Sequence, residues 1–240
     1  MGNLTWLAPD NYEFPDSSQA LDDPEGLLAV GGDLSCGRLL AAYTRGIFPW
    51  FNENQPILWW SPDPRLVLLP KDLHIGRTLR KLINKRQFHI TADTAFSDVI
   101  SACAKAPRHG EGTWITEEMQ TAYINLHKAG HAHSVEAWVD GELQGGLYGV
   151  QIGQVFFGES MFSRVSGASR IAFSALCTQL EKWGVQAIDC QVNTDYLISF
   201  GAKEINRNKF EKILQDSINP ASLENAFCWK THWSLPDYGL

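Results

Sequence analysis

The sequence predicts an α+β protein, built on a mostly antiparallel sheet that helices flank. One observation is a run of three strand-like segments separated by short turns: His133–Val139, Glu142–Ile152 and Gln154–Phe162. The first turn is Asp140-Gly141, a type I′ hairpin signal, and Gly153 marks the second turn. A second observation is that segments with helical spacing of apolar residues lie before and after these strands. Helices that accompany an antiparallel sheet make an α+β domain.

The first sixty or so residues differ from the rest, because they are rich in Pro, Gly and Trp. Strands are expected at Leu4–Leu7 and Ile57–Trp60. A helix is expected between them, from four apolar residues at helical spacing: Leu39, Leu40, Tyr43 and Ile47. Asp33 and Ser35 offer an N-cap for this helix, and Gly46 is suited to follow its last turn.

Ser61-Pro-Asp-Pro64 breaks all regular structure, and we expect a domain boundary there. The chain is thereby divided into a small N-terminal domain, residues 1–62, and a larger domain, residues 63–240. Further strands of the larger domain are expected at Leu66–Leu69, Gln87–Thr91 and Ala187–Gln191. Its helices are expected at Gly76–Lys85, Thr94–Ala104, Glu117–Ala129 after the cap Thr116, Gly167–Trp183 before Gly184, and from about Asn208.

Composition limits the class of protein. The chain has 240 residues and a formal net charge of −7, so a protein of this composition would need a local basic patch to bind nucleic acid. The five cysteines are scattered, which is typical of reduced thiols and not of disulfides or a zinc cage. The sequence has no signal-peptide pattern, and no apolar run approaches the roughly 20 residues that span a bilayer. We therefore expect a cytoplasmic protein that does not contact a membrane.

One local basic patch lies between Leu73 and Arg86, a stretch without acidic residues. Its members are Arg77, Arg80, Lys81, Lys85 and Arg86. The first four fall on one face of the expected helix, and such a face attracts phosphate groups with salt-dependent affinity. The alternative is a solvated face with distant acidic partners, and the residues alone leave it open.

Three polar residues interrupt apolar strands. Strand alternation places Asp189 and Gln191 on one face, where they could hold a polar reactant or satisfy neighbouring backbone groups. Cys190 points the other way and is expected to be a buried thiol. Glu159 would be costly to bury alone, so a partner is expected, either an internal base or a cationic substrate.

Two further patterns are weaker. The turn Ser163-Arg-Val-Ser-Gly-Ala-Ser169 resembles the pyrophosphate loop of GCN5-related acyltransferases, with a plain helix start as the alternative. His127, His131 and His133 are close in sequence, but Gly130 breaks the helix between the first two and no fourth ligand is obvious. No metal site is therefore expected.

Seven long motifs follow in order: Gly26-Leu-Leu-Ala-Val-Gly-Gly-Asp-Leu-Ser35, Arg45-Gly-Ile-Phe-Pro-Trp-Phe51, Ile57-Leu-Trp-Trp-Ser-Pro-Asp-Pro-Arg65, Glu111-Gly-Thr-Trp-Ile-Thr116, Gly130-His-Ala-His-Ser-Val-Glu136, Gly158-Glu-Ser-Met-Phe-Ser163 and Ile188-Asp-Cys-Gln191. Together they resemble the bacterial leucyl/phenylalanyl-tRNA–protein transferase family. The resemblance implies a small N-terminal domain and a GCN5-related acyltransferase-like domain. It also implies transfer of Leu or Phe, less readily Met, from aminoacyl-tRNA to proteins with N-terminal Arg or Lys, which are then degraded.

The resemblance also implies roles for individual residues. Four match family positions around the aminoacyl pocket and the terminal adenosine: Tyr43, Trp50, Trp114 and Tyr123. Ser163 is assigned to substrate binding, and the basic stretch to tRNA. Asp189 and Gln191 match the pair proposed to assist peptide-bond formation, and Glu159 matches an acidic position that could pair with the cationic acceptor. Leu176 departs from the pattern, since some relatives have an aromatic residue there.

No cofactor is expected, because the acyl donor is already an activated ester, and the protein is expected to be a monomer. Gln191 could accept a hydrogen bond from the attacking amine while Asp189 orients it. Two rival functions stay open at this point. One is an acetyl-CoA-dependent N-acetyltransferase, which the turn at Arg164 favours, and the other is a tRNA-binding protein without catalysis.

Overall fold

The computed structural model describes residues 4–9, 11–106, 113–218, 227–230, 232–233 and 235. The helices are α1 Cys36–Tyr43, α2 Arg77–Asn84, α3 Phe96–Lys105, α4 Glu117–Lys128, α5 Ala168–Lys182, α6 Asp195–Ile198 and α7 Arg207–Ser217. The strands are β1 Thr5–Leu7, β2 Leu27–Gly31, β3 Phe48–Pro49, β4 Leu58–Trp60, β5 Arg65–Leu68, β6 His89–Ala92, β7 Ala132–Val139, β8 Glu142–Ile152, β9 Val155–Ser163, β10 Ala187–Gln191, β11 Lys203–Ile205 and β12 His232–Trp233. The predicted α+β class is confirmed.

A four-stranded sheet occupies the N-terminal part, in the order β1-β2-β4-β3. Helix α1 begins after Ser35, whose hydroxyl accepts a hydrogen bond from the backbone N–H of Arg38, as predicted. The helix ends earlier than the apolar spacing predicts, because Gly46 has a left-handed φ of 71° and turns the chain. Ile47 therefore lies beyond the helix, but it is fully buried and its backbone N–H returns to the carbonyl of Ala42.

An eight-stranded sheet follows, in the order β11-β5-β10-β9-β8-β7-β6-β12. Among these described strands six pairings are antiparallel, and β9 with β10 is parallel, so the predicted, mostly antiparallel sheet is confirmed. The turn between β7 and β8 has positive φ at Asp140 (51°) and Gly141 (81°), as a type I′ turn requires.

Helices cover both faces of this sheet. Adjacent residues of β8 point to opposite faces, and Leu147 belongs to one apolar cluster with buried residues of α2 and α5. Tyr148 belongs to a second cluster, with buried residues of α3 and α4. Within the described ranges, every helix lacks the length and apolar character that crossing a bilayer requires.

The second apolar cluster joins the two sheets. Tyr43 of α1 and Trp59 of β4 pack in the same cluster as Tyr123 of α4. The connection between the sheets is also anchored, because the guanidinium of Arg207 donates to the carbonyl of Ser61 at 2.7 and 3.1 Å. The small sheet therefore has a fixed position beside the large one.

Candidate active site

A cleft opens where β9 and β10 separate. The two strands pair only as far as Phe157 and Asp189, although β9 continues to Ser163. A cavity of about 510 Å³ lies at this point. Its buried apolar lining includes Leu147, Phe156, Phe173, Leu176 and Ile188, and its polar lining includes Glu159, Asp189 and Gln191.

Two β-bulges shape the cleft. Tyr148 pairs with Ser160 and Gly149 pairs with Gly158, so Glu159 is the extra residue of a bulge in β9. Gly149 allows this close approach, because a Cβ there would lie 2.2 Å from the carbonyl oxygen of Phe157. Bulges next to a site re-aim side chains, and this one directs Glu159 toward the cavity.

The second bulge lies in β10. Asp189 pairs with Val67 and Gln191 with Leu66, which leaves Cys190 as the extra residue. Gln191 has a left-handed φ of 62°, so the strand alternation on which the predicted shared face rested does not continue to Gln191. Asp189 and Gln191 nevertheless both line the cavity. Cys190 is buried, as predicted, and burial raises the pKa of its thiol.

Glu159 accepts three hydrogen bonds. The Tyr43 hydroxyl donates to Oε1 at 2.7 Å, the Tyr123 hydroxyl donates to Oε2 at 3.0 Å, and Gln191 Nε2 donates to Oε1 at 2.8 Å. Burial, helped by the nearby charge of Asp189, raises the pKa of Glu159 from 4.5 to about 7 against the lowering effect of these hydrogen bonds. The partners of Glu159 within the protein are thus three neutral donors, and none of them is a base.

Asp189 is held by a residue that the sequence reasoning did not single out. Arg65 Nε and Nη2 donate to its two oxygens at 2.8 and 2.6 Å, and both side chains are fully buried. The Arg65 guanidinium lies 4.8 Å from the ring centres of both Phe48 and Phe210. Asp189 Oδ1 also accepts the backbone N–H of Gln191 at 2.9 Å, so this carboxylate fixes the turn of the chain at Gln191.

Tyr43 and Tyr123 lie one layer behind the cavity, and their expected contacts with substrate stay a prediction. Both are fully buried and lie behind Glu159, and neither side chain reaches the cavity wall. The two hydroxyl oxygens also lie in short contact with each other.

Ser163, which is expected to bind substrate, is the last residue of β9. Its hydroxyl accepts the backbone N–H of Ser169 at 2.8 Å, in the first turn of α5, and it lies outside the cavity lining. Arg164 of the same turn donates to the carbonyl of Leu143 at 2.8 Å. The turn therefore uses its own polar groups to begin the helix, which agrees with the plain alternative.

Two tryptophans line the exposed side of the cavity. Trp50 is 44% exposed and packs beside Trp60, whose indole donates to the carbonyl of Trp50 at 2.6 Å. Trp114 is half-buried and also lines the cavity. The motif residues Glu111 and Gly112 before it lie outside the described residues.

The basic stretch forms a solvent-facing helix. Leu79 and Ile83 bury one face of α2, and all five basic residues are exposed: Arg77, Arg80, Lys81, Lys85 and Arg86. Lys85 is the C-terminal cap and Arg86 has a φ of 52°, so the last two lie just past the helix. Leu82 packs against Gly167 at the start of α5, which fixes α2 beside that turn.

The three histidines do not form a metal site, and no group of three or more metal-ligating side chains occurs in the described part of the chain. His133 Nδ1 lies 2.7 Å from a carboxylate oxygen of Asp93, and its ring stacks on Trp229. His127 Nδ1 lies 2.8 Å from the carbonyl oxygen of Ala132. The histidines described by these contacts therefore have structural partners.

Comparison with known proteins covers almost all of the sequence. Residues 67–215 match the family described as leucyl/phenylalanyl-tRNA protein transferase, and residues 32–63 match its N-terminal domain. A Saccharophagus degradans protein named leucyl/phenylalanyl-tRNA–protein transferase is 59% identical, with 100% of this chain and 99% of that protein covered. A Teredinibacter turnerae protein of the same name is 54% identical, with 96% of this chain and 90% of that protein covered.

Solved structures give a more distant comparison. A conserved protein of unknown function from Bacteroides thetaiotaomicron is 15% identical, with a TM-score of 0.41, and covers 64% of this chain and 55% of its own. That likeness is too weak to support an argument, whereas the sequence matches extend over both parts of the chain. The chain belongs to the leucyl/phenylalanyl-tRNA protein transferase family.

Proposed function

We propose that this protein transfers Leu or Phe, and less readily Met, from aminoacyl-tRNA to proteins that begin with Arg or Lys. The modified proteins would then be degraded. The observation that carries the proposal is the 59% identity, over the full chain, to a protein named leucyl/phenylalanyl-tRNA–protein transferase. The structure supports it at three places: the apolar cavity, the exposed basic face of α2 and the polar residues of the cleft.

The cavity suits an apolar aminoacyl side chain. Its buried lining is formed by aliphatic and aromatic residues, among them Leu147, Phe156 and Leu176. Such a lining favours Leu, Phe and Met over polar side chains, because it offers no hydrogen bonds to replace those with water. We infer that Trp50 and Trp114 enclose the aminoacyl group and terminal adenosine from the exposed side.

Helix α2 supplies the surface for the tRNA body. Its exposed basic residues stand on an otherwise acidic chain, whose formal net charge is −7. Neutralising phosphates at this face would supply affinity without sequence specificity. Such a face leaves selection of the amino acid to the cavity.

Peptide-bond formation then needs alignment more than activation. The ester is already activated, and an α-amine with a pKa near 8 is partly neutral at physiological pH, by about one part in ten. Holding amine and ester together can supply roughly 7–11 kcal/mol. We infer that Gln191 accepts a hydrogen bond from the amine through Oε1, since its Nε2 already donates to Glu159 at 2.8 Å.

We also infer the finer organisation from the resemblance. Residues 63–240 would form a GCN5-related acyltransferase-like domain, residues 1–62 a small N-terminal domain, and the protein would act as a monomer. The turn at Arg164 would not bind pyrophosphate here, because the backbone N–H of Ser169 already has a partner in Ser163.

The test is a transfer assay with labelled Leu-tRNA and a peptide that begins with Arg. We expect labelled peptide from this pair, and little product from Val-tRNA or from the same peptide with an acetylated N-terminus. Binding of coenzyme A without use of aminoacyl-tRNA would select the acetyltransferase alternative. Binding of charged tRNA without labelled product would select the non-catalytic alternative.

A further inference from the structure

Three oxygen-to-oxygen contacts form a closed ring beneath the cavity. Tyr43 Oη lies 2.7 Å from Glu159 Oε1, and Tyr123 Oη lies 3.0 Å from Glu159 Oε2. The ring closes through the short contact between the two tyrosine hydroxyls. Tyr43 comes from α1 and Tyr123 from α4, so elements of both parts of the chain build this ring.

The ring needs one more proton than the tyrosines can supply. Three contacts between oxygen atoms require three hydrogens, and each hydroxyl carries one. A protonated Glu159 supplies the third hydrogen and completes the ring, whereas an ionised Glu159 leaves one contact without a hydrogen. Both tyrosines stay protonated, because burial, followed by the charge of Glu159, raises their pKa values well above the ordinary 10.0. A proton that enters the ring therefore resides on Glu159.

Two other ionisable groups lie near the ring, and each contacts a neighbouring side chain. Asp189 uses both oxygens to bind Arg65 and is fully buried. Tyr148 of β8 packs edge-on against Tyr123, 5.5 Å between ring centres. Among the described carboxylates that line the cavity, Glu159 is thus the one not paired with a cationic side chain.

We propose that Glu159, closed into a ring with Tyr43 and Tyr123, takes the proton from the attacking α-amine and returns it to the ribose oxygen of the leaving tRNA. This step rests on the proposed transfer function. The nitrogen–carbon bond forms, the ester carbon–oxygen bond breaks, and one proton passes from nitrogen to Glu159 and then to the ribose. Nothing is oxidised or reduced. Asp189 and Arg65 hold Gln191 in place and do not exchange the proton.

The first experiment is a pH profile of single-turnover transfer with saturating Phe-tRNA. Wild-type enzyme should gain rate as Glu159 ionises, with a limb near pH 7, where its pKa lies. Glu159→Gln keeps the ring closed, because its amide donates and accepts, but it cannot take a proton. Its rate should fall by about 10²–10⁴-fold and the limb near pH 7 should vanish, which leaves only the limb of the α-amine near pH 8. Affinity for Phe-tRNA should stay unchanged in filter binding.

A second measurement observes the proton directly. Carboxyl-labelled glutamate should give one carbon resonance that titrates near pH 7 in wild-type enzyme and is absent from Glu159→Gln. Tyr43→Phe opens the ring and should displace the midpoint, whereas Tyr12→Phe, at an exposed tyrosine away from the cavity, should leave it in place.

The outcomes separate this step from the proposed function. A wild-type enzyme without transfer activity would overturn both. An active wild type with an unchanged pH limb in Glu159→Gln would overturn the proton step alone. The same holds if that variant only raises KM for a peptide beginning with Arg, because Glu159 would then bind the cationic acceptor side chain instead.

Discussion

The side chain of Asp189 makes contacts in two directions. Toward the interior it takes both hydrogen bonds from Arg65, and toward the cavity it accepts the backbone N–H of Gln191. A left-handed φ of 62° at Gln191 is uncommon for a residue other than glycine, and this carboxylate helps to hold it there. Loss of the Asp189 charge should therefore act on Gln191 before it acts on any substrate.

Asp189→Asn and Gln191→Ala should each lower kcat strongly and leave tRNA affinity nearly intact. Their effects should not add in the double variant, because both residues belong to one positioning unit. Folding must be verified first, since a buried polar group without its partner costs roughly 1–3 kcal/mol. Single-turnover rates of the two single variants and the double variant test this, and a folded Asp189→Asn enzyme with near wild-type kcat would exclude the role.

Protonation of Glu159 should affect the free energy of unfolding as well as the transfer rate. Its pKa is 4.5 in the unfolded reference and about 7 in the folded protein, so the folded state holds a proton that the unfolded chain releases. The contribution of protonated Glu159 to the free energy of unfolding is fully present below pH 4.5, and it is lost as the pH rises through 7. Relative to Glu159→Gln, wild-type protein should lose up to about 3 kcal/mol of unfolding free energy between pH 4.5 and pH 8. Urea unfolding at both pH values measures it, and an equal difference at the two would contradict it.

The sequence predicted the polar residues of this site but not the β-bulges that position them, and the reason is physical. Glu159, Asp189 and Gln191 could be singled out because polar side chains in apolar strands need partners. The same logic applies to Arg65 in Arg65-Leu-Val-Leu68, a cation in an apolar strand, and it would have indicated a buried acidic partner. The bulges at Glu159 and Cys190 were beyond reach, since they depend on register between strands distant in sequence.

Helix α2 is the element whose charge can be tested by itself. Arg80→Glu with Lys81→Glu should raise the apparent KM for charged tRNA and flatten its salt dependence. Transfer from a minimal aminoacyl-adenosine should change much less, because that donor lacks the tRNA body. Lys209→Glu with Lys212→Glu, at exposed positions of α7, is the matched charge control. Equal loss with both donors would indicate a structural lesion instead of a tRNA contact.

Long elements with strong periodicity were predictable, and short central strands were not. The bounds of α4, β8 and β10 agree closely with the sequence pattern, because caps, a hairpin turn or glycines mark their ends. Strand β2 was missed. It lies between β1 and β4, and its residues Leu27–Val30 are all buried, so it has no apolar–polar alternation to identify it.

At the scale of the molecule, the cavity is assembled from both sheets. Phe48 and Trp50 come from the small sheet and its edge, whereas Leu147, Phe156 and Leu176 come from the large one and α5. Under the proposed function, the aminoacyl side chain would be enclosed between two parts of the chain. Selection of this side chain by its shape should therefore depend on residues from both parts of the chain.

Trp114→Ala should weaken use of Leu-tRNA and reduce the preference for Leu over Ile. These isomers differ in the position of one methyl group, and discrimination at that level is typically about 1–3 kcal/mol, so the preference is incomplete from the start. The ratio of kcat/KM for Leu-tRNA and Ile-tRNA measures it. Trp6→Ala, at a side chain that is 72% exposed on β1, serves as the control. An unchanged ratio in Trp114→Ala would place the pocket elsewhere.

The apolar cluster that contains Tyr43, Trp59 and Tyr123 constrains how the gene for such a protein can evolve. Two parts that share a core cannot be exchanged one at a time without mismatched volumes at the join. Recombination between diverged genes near Pro62 should therefore yield chimaeras that fold poorly, even when each parent works. A core substitution in one part would require a compensating substitution in the other. The two parts should therefore be inherited together.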